Sequence, residues 1–265
     1  MRSAAAHIPA AASGKRGIVM LKNKWAVITG CNRGIGRAIL DCFAENGASV
    51  FAVVRKENEE FSAHIQELEG RHGVKITPVY ADFTDENQVK AAAKQIMAAK
   101  VPIDALVNNI GVGLPLRMAA MTPMDSMKEV FQINFFSQFL FTQLLSRNMM
   151  RYKKGSIVFI SSTAIYDAWS NVEYVASKSA ISGEVIRLAL ELGPLGIRVN
   201  AVAPGLTDTD SAGTMTEDDE KLALDRCIMK RRARPKEVAD AVCFLASDKA
   251  SFITAQVLRV DGGLR

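Results

Sequence analysis

The chain has 265 residues, 49% of them hydrophobic and 23% charged, which is enough apolar material for a sizeable core. Of the formal net charge of +5, three units come from Arg2, Lys15 and Arg16 in residues 1–19, and the rest is interspersed with acids, so there is no basic footprint for nucleic acid. No apolar run approaches the roughly 18 residues of a membrane span, and the four cysteines and three histidines fall at no metal-ligand spacing, which argues against a zinc-type dehydrogenase.

Residues 1–19 are rich in Ala, Ser and basic residues and precede a second methionine, Met20. An upstream start or appended extension, a short organellar presequence and a native tail all fit that composition. The folded domain is expected over 20–265. From Lys24 onward, β-branched runs alternate with helical patterns: a strand at 25–30, a helix at 36–47, a strand at 48–54 and a helix near 57–70. A strand at 75–82, a helix at 86–99 and a strand at 104–109 follow. One long helix is expected from about Pro123 to Met150, with Thr122 as N-cap, Pro123 in the first helical position and Asp125 answering the cap. Then come a strand at 156–161, a helix at 173–192, a strand at 197–203, helices near 217–230 and 235–246, and a last strand at 256–260. The strands are continuous apolar runs, as in a sheet covered on both faces. This pattern predicts a single doubly wound α/β domain, with a mostly parallel seven-stranded sheet.

The segment Thr29-Gly30-Cys31-Asn32-Arg33-Gly34-Ile35-Gly36 joins the first strand to the first helix. Glycines there allow a tight turn and close backbone approach to a phosphate, while the helix N-terminus favours an anion. At the end of the second strand, Val54 is followed by Arg55 and Lys56, with no acid to hold both ribose hydroxyls. Arg33 and Arg55 together favour a 2′-phosphate, because guanidinium groups bind phosphate bidentately. NADP(H) is the expected cofactor; the plainer alternative is that Arg55 and Lys56 solvate a strand end.

The TGxxxGIG loop resembles the fingerprint of the short-chain dehydrogenase/reductase family, most of all its 3-oxoacyl-carrier-protein reductases. Asn108-Asn109-Ile110-Gly111 resembles that family's NNAG element, Tyr174–Lys178 its YxxxK element, and Pro204-Gly205 and Val260-Asp261-Gly262-Gly263 its closing motifs. The resemblance implies a cofactor site comprising Gly30, Asn32, Arg33, Gly34, Ile35, Gly36 and Arg55. It puts Asp82 and Phe83 beside the adenine, Asn108, Asn109 and Gly111 near the ribose, and Tyr174 and Lys178 at the reacting end. Pro204, Gly205, Thr207 and Thr209 are implied at the nicotinamide carboxamide.

A ketone reductase must deliver a proton to oxygen as hydride reaches carbon. Tyr174 and Lys178 are four apart on one helical face, and a neighbouring ammonium favours the phenolate. The resemblance makes Tyr174 the proton donor, Lys178 its partner and Asn134, through its backbone carbonyl, the holder of a water. It also implies a serine that polarises the substrate carbonyl. Ser162 fits the strand alignment but lies twelve residues before Tyr174; Ser161 has the usual spacing of thirteen and stays in reserve.

The activity implied is reduction of a 3-oxoacyl thioester or related ketone, with a sugar, steroid or small-alcohol oxidoreductase as the alternative. A non-catalytic NADPH-binding sensor is disfavoured by the intact Tyr174 and Lys178. The expected partner is a small-molecule carbonyl substrate, free or bound to a carrier protein for which Lys153 and Lys154 are candidate contacts. Met118, Met121, Tyr166, Trp169 and Met215 are candidate pocket residues. Ala255 replaces a glycine usual at its position. A homotetramer or homodimer is implied, and four cysteines away from any pairing pattern suit a reducing compartment, the cytoplasm.

Overall fold

The computed structural model describes residues 19–168, 170–209 and 217–265. Residues 1–18 of the expected extension over 1–19, Trp169 and Met215 lie outside the described residues.

Seven strands, all parallel, form one sheet in the order β3-β2-β1-β4-β5-β6-β7. They are β1 (Trp25–Thr29), β2 (Ser49–Val54), β3 (Ile76–Tyr80), β4 (Ala105–Asn108), β5 (Gly155–Ile160), β6 (Ile197–Pro204) and β7 (Val257–Val260). Pro78 sits in β3, at the edge of the sheet, where a missing N–H costs least. The strand order reverses between β1 and β4. Loops leaving these two strands diverge there, and a crevice opens at their carboxyl ends.

Helices cover both faces. On one lie α1 (Gly34–Glu45), α2 (Glu59–His72) and α9 (Pro235–Ala246); on the other lie α3 (Glu86–Ala98), α5 (Ser137–Tyr152) and α7 (Val172–Leu192). Alternate residues of β1 serve the two layers: Ala26 and Ile28 pack with α1, and Val27 packs with α3 and α5. Phe43 of α1 and Phe141 of α5 are fully buried, each stabilising its layer by about 1.5–3 kcal/mol relative to exposure. Sequence-local caps set several boundaries. Asn58 accepts from Phe61 N at 3.1 Å to start α2, Asp85 from Asn87 N at 2.8 Å to start α3, and Asn171 from Tyr174 N at 3.3 Å to start α7.

The long helix expected from 123 to 150 differs in two ways. Its first part, α4 (Met124–Phe131), has Pro123 as N-cap in extended conformation, so Thr122 is one residue too early to cap it. The Thr122 hydroxyl is buried with no partner among the described residues, and Asp125 pairs with Lys128 at 3.3 Å instead of answering a cap. Beyond α4 the chain passes through a π turn, Gln132–Phe136, before α5 begins. The helix expected at 217–230 stops early, as α8 (Glu217–Arg226). A one-turn helix, α6 (Ala164–Asp167), follows β5.

Candidate active site

The glycine loop leads from β1 into α1. Gly30 has a φ of +68°, which a side chain would disfavour, and a Cβ on Gly36 would come within 2.1 Å of the Gly30 carbonyl oxygen. Backbone is thus packed against backbone at the start of α1, leaving a shallow cradle at a helix N-terminus that fits the phosphates of a dinucleotide. Asn109 holds the cradle from the next strand. Its Nδ2 donates to Thr29 O at 3.0 Å and to Gly30 O at 3.1 Å, and its backbone N donates to the Thr29 hydroxyl at 2.9 Å. Asn32 and Arg33 are exposed in the loop; Ile35 packs its side chain on the core. Thr209 packs over the same loop, its Cγ2 only 3.4 Å from where a Cβ on Gly34 would lie.

Arg55 and Lys56 are exposed just beyond β2, at the same sheet edge as the glycine loop because β1 and β2 are neighbours. Asp82 turns its carboxylate onto Thr84, accepting from its N at 2.9 Å and its hydroxyl at 2.8 Å. Phe83 is 3% exposed; its ring packs edge-on against Phe141 at 5.5 Å, and its carbonyl accepts from the Ser137 hydroxyl at 2.6 Å. Asn108 is likewise internal, donating to the Thr142 hydroxyl at 2.8 Å and so bracing β4 against α5.

The reacting end gathers at the carboxyl ends of β4 and β5. Lys178 is 2% exposed, and its Nζ donates to Ile160 O at 2.8 Å. Burial lowers its pKa to about 8. The ammonium lies 5.9 Å from the centre of the Tyr174 ring, and a Cβ on Gly111 would sit 3.0 Å from it. Burial raises the Tyr174 phenol above its ordinary value, while a hydrogen bond from Ser162 pulls it partly back. Desolvation is the larger of these two effects and the Ser162 hydrogen bond the smaller.

The two serines are separated by the structure. Ser162 meets the Tyr174 phenol and also accepts from Ala164 N at 3.2 Å. Ser161 turns inward and donates to Lys178 O at 3.2 Å. Asn134 sits in the π turn and is fully buried; its Oδ1 accepts from Val112 N at 2.8 Å, and its Nδ2 donates to Val112 O at 3.0 Å and to the Ser177 hydroxyl at 3.1 Å. Its backbone carbonyl accepts from Gln138 Nε2 at 2.9 Å.

At the far side of the crevice, Pro204 ends β6, with its carbonyl accepting from both the N and the hydroxyl of Thr163 at 3.0 and 3.2 Å. Gly205 pairs with Val260, and the Thr207 hydroxyl folds back to Gly205 O at 2.9 Å.

Met118 and Met121 are 72% and 71% exposed, and Tyr166 lies under the Arg259 guanidinium at 5.0 Å. Lys154 pairs with Asp104 at 2.7 Å. A cavity of about 460 Å³ near Lys24, Asp104, Lys154 and Arg198 lies at the amino ends of β5 and β6, away from this cluster. Ser177, Gln138 and Asn171 were missed by sequence reasoning. Asn171 donates to Leu114 O at 2.8 Å and so ties the 111–121 loop to α7. Gln138 shares the signal that exposed Asn134, a polar side chain inside an apolar helical run.

A glycine cradle facing a Ser-Tyr-Lys cluster across a parallel-sheet crevice defines an oxidoreductase of CH–OH and C=O groups. The chain belongs to the short-chain dehydrogenase/reductase family, and residues 30–265 match the family described as Enoyl-(Acyl carrier protein) reductase. It is 37% identical to the 3-oxoacyl-(acyl-carrier-protein) reductase FabG of Thermotoga maritima, over 92% of this chain and 98% of that protein. It is 36% identical to a 3alpha-hydroxysteroid dehydrogenase of Mediterraneibacter gnavus, over 93% of this chain and 99% of that one. Among solved structures it resembles a 7 alpha-hydroxysteroid dehydrogenase complexed with NADH and 7-oxo glycochenodeoxycholic acid. That likeness has a TM-score of 0.85 and 34% identity, over 93% of this chain and 96% of the other.

Proposed function

We propose that this protein is an NADPH-dependent carbonyl reductase whose substrate is a 3-oxoacyl thioester or a closely related ketone. One observation carries the reading: the Tyr174 phenol, whose pKa burial raises, is hydrogen-bonded by Ser162, and the buried Lys178 ammonium lies 5.9 Å from the centre of its ring. When bound, the nicotinamide cofactor supplies the hydride. Tyr174 then gives its proton to the carbonyl oxygen, and Ser162 holds that oxygen as its charge develops. Lys178 stabilises the phenolate left behind. Asn134 and Gly111 keep the lysine walled in, and Ile160 O fixes its orientation.

Similarity to FabG supports the thioester, and similarity to hydroxysteroid dehydrogenases supports a steroid as the second reading. Lys154 is engaged with Asp104 and lends no support to a carrier-protein contact. Exposed Arg55 without an acid at Val54 supports NADPH, although the related hydroxysteroid dehydrogenase structure holds NADH. The four cysteines are free and buried, as suits a cytoplasmic enzyme. The reading includes a homotetramer or homodimer.

Oxidation of NADPH and NADH should be followed with acetoacetyl thioesters, oxo-steroids and keto-sugars. The expected result is thioester-dependent oxidation of NADPH over NADH, with the preference lost in the double variant Val54→Asp, Arg55→Ala. Turnover only with steroids or sugars would replace the substrate, and an NADH preference in wild type would replace the cofactor.

A further inference from the structure

Gln138 is the second residue of α5, one turn past Asn134, and is 1% exposed. Its Nε2 donates to Ile110 O at 2.6 Å and to Asn134 O at 2.9 Å, with a longer approach to Ile133 O at 3.3 Å. Three carbonyl oxygens around one end of the amide settle which end carries the hydrogens, since an oxygen there would meet only acceptors. One side chain therefore joins two segments that the backbone leaves separate: the loop that follows β4, and the π turn.

The joined segments surround the lysine. Ile110 precedes Gly111, whose Cβ position is 3.0 Å from Lys178 Nζ. Asn134 grips Val112 through both its N–H and its carbonyl, and through Ser177 it reaches the Tyr174 carbonyl, which accepts from the Ser177 hydroxyl at 2.9 Å. If Ile110 moved away from the π turn, Gly111 would withdraw from the ammonium and the Asn134–Val112 pair would strain. A helix of the same shape with leucine at 138 would pack as well but would leave both carbonyls unclaimed.

We propose that Gln138 is a positioning residue for proton delivery: it clamps the Ile110 and Asn134 carbonyls together and so fixes the wall against which Lys178 acts. This rests on the carbonyl-reductase reading. It acts through Asn134 and Gly111, without touching substrate itself.

The test uses the full-length enzyme and two variants, Gln138→Leu, which keeps the bulk but removes the donor, and Gln138→Glu, which regains a donor only when protonated. Hydrogen exchange at Val112 should quicken roughly tenfold or more in both, because its N–H is held by Asn134. The turnover number should fall about ten- to a hundredfold, as for a misplaced catalytic group, with KM for cofactor within about twofold. The solvent deuterium isotope effect should rise as proton delivery becomes limiting. In Gln138→Glu, kcat relative to wild type should recover toward acidic pH. Unchanged exchange at Val112 overturns the clamp. Faster exchange with wild-type kcat and isotope effect overturns the role in proton delivery. If the leucine variant does not fold, Gln138→Met supplies the same comparison. If wild type turns over no carbonyl compound, the functional reading fails and takes proton delivery with it, while exchange still decides the clamp.

Discussion

Ser161 and Ser162 are one position apart at the end of β5, and the strand's pleat turns their side chains in opposite directions. Ser162 faces the phenol, whereas Ser161 is 2% exposed and bonded to the Lys178 carbonyl. Ser162→Ala is expected to lower kcat about 100- to 1,000-fold, as for loss of one oxyanion donor. Ser161→Ala should cost about 1 kcal/mol of stability and little turnover. Steady-state rates alongside thermal unfolding of both variants check this, and the reverse order would move the role to Ser161. Ala255 makes a different kind of case. It stands where the family usually has glycine, and its φ is +59°, with its N–H bonded to Val199 O at 2.8 Å. A left-handed alanine costs about 1–2 kcal/mol and glycine's extra chain freedom about 0.4–1 kcal/mol, so Ala255→Gly should gain about 0.5–1 kcal/mol. The thermal midpoint should rise by roughly 2–4 °C. A fall would mean that the methyl group's packing outweighs the backbone strain.

Among the elements, those that depend on local chemistry were legible from sequence. The glycine loop, the apolar strands and the helix at 173–192 all depend on neighbours in the chain, and they stand within a few residues of their expected positions. The π turn was not legible. Its setting is tertiary: Asn134 and Gln138 reach out of the helix to Val112 and Ile110, and no periodicity records partners 22 and 28 residues upstream. The serine pair shows the opposite balance: the strand alignment favoured Ser162 against the spacing, and the pleat places that residue at the phenol. α7 carries one more feature of tertiary origin. Glu184 is buried with both carboxylate oxygens unpartnered among the described residues, and burial pushes its pKa from 4.5 up to about 8. The folded chain therefore binds this proton more tightly than the unfolded one between those values. Its stabilising share is full below about pH 4.5 and is lost as pH rises through 8. Glu184→Gln should flatten that decline and stabilise the protein at pH 8 by about 1–3 kcal/mol. Thermal unfolding at pH 5, 6.5 and 8 tests it; parallel curves for the two proteins would contradict the assignment.

On the scale of the whole molecule, Phe136 at the end of the π turn, Phe139 near the start of α5 and Ile186 and Leu190 on α7 are 50%, 41%, 60% and 69% exposed. Helices on the same face of the sheet thus carry apolar side chains that the sheet does not cover. Light scattering at micromolar concentration is expected to give a dimer or tetramer, and Leu190→Glu to shift it toward monomer. A monomeric wild type would refute this. The sheet itself restricts how such copies can meet. Its two margins are unlike: Pro78 removes one donor from β3, while β7 keeps all of its own. A chain that adds strands margin to margin therefore has one hospitable side. Joining β7 to β7 spends that side in both molecules at once, and the union closes at two, with no free seam to pass the pairing on. Pro78 thus biases strand pairing toward the β7 margin, where a two-fold union closes on itself.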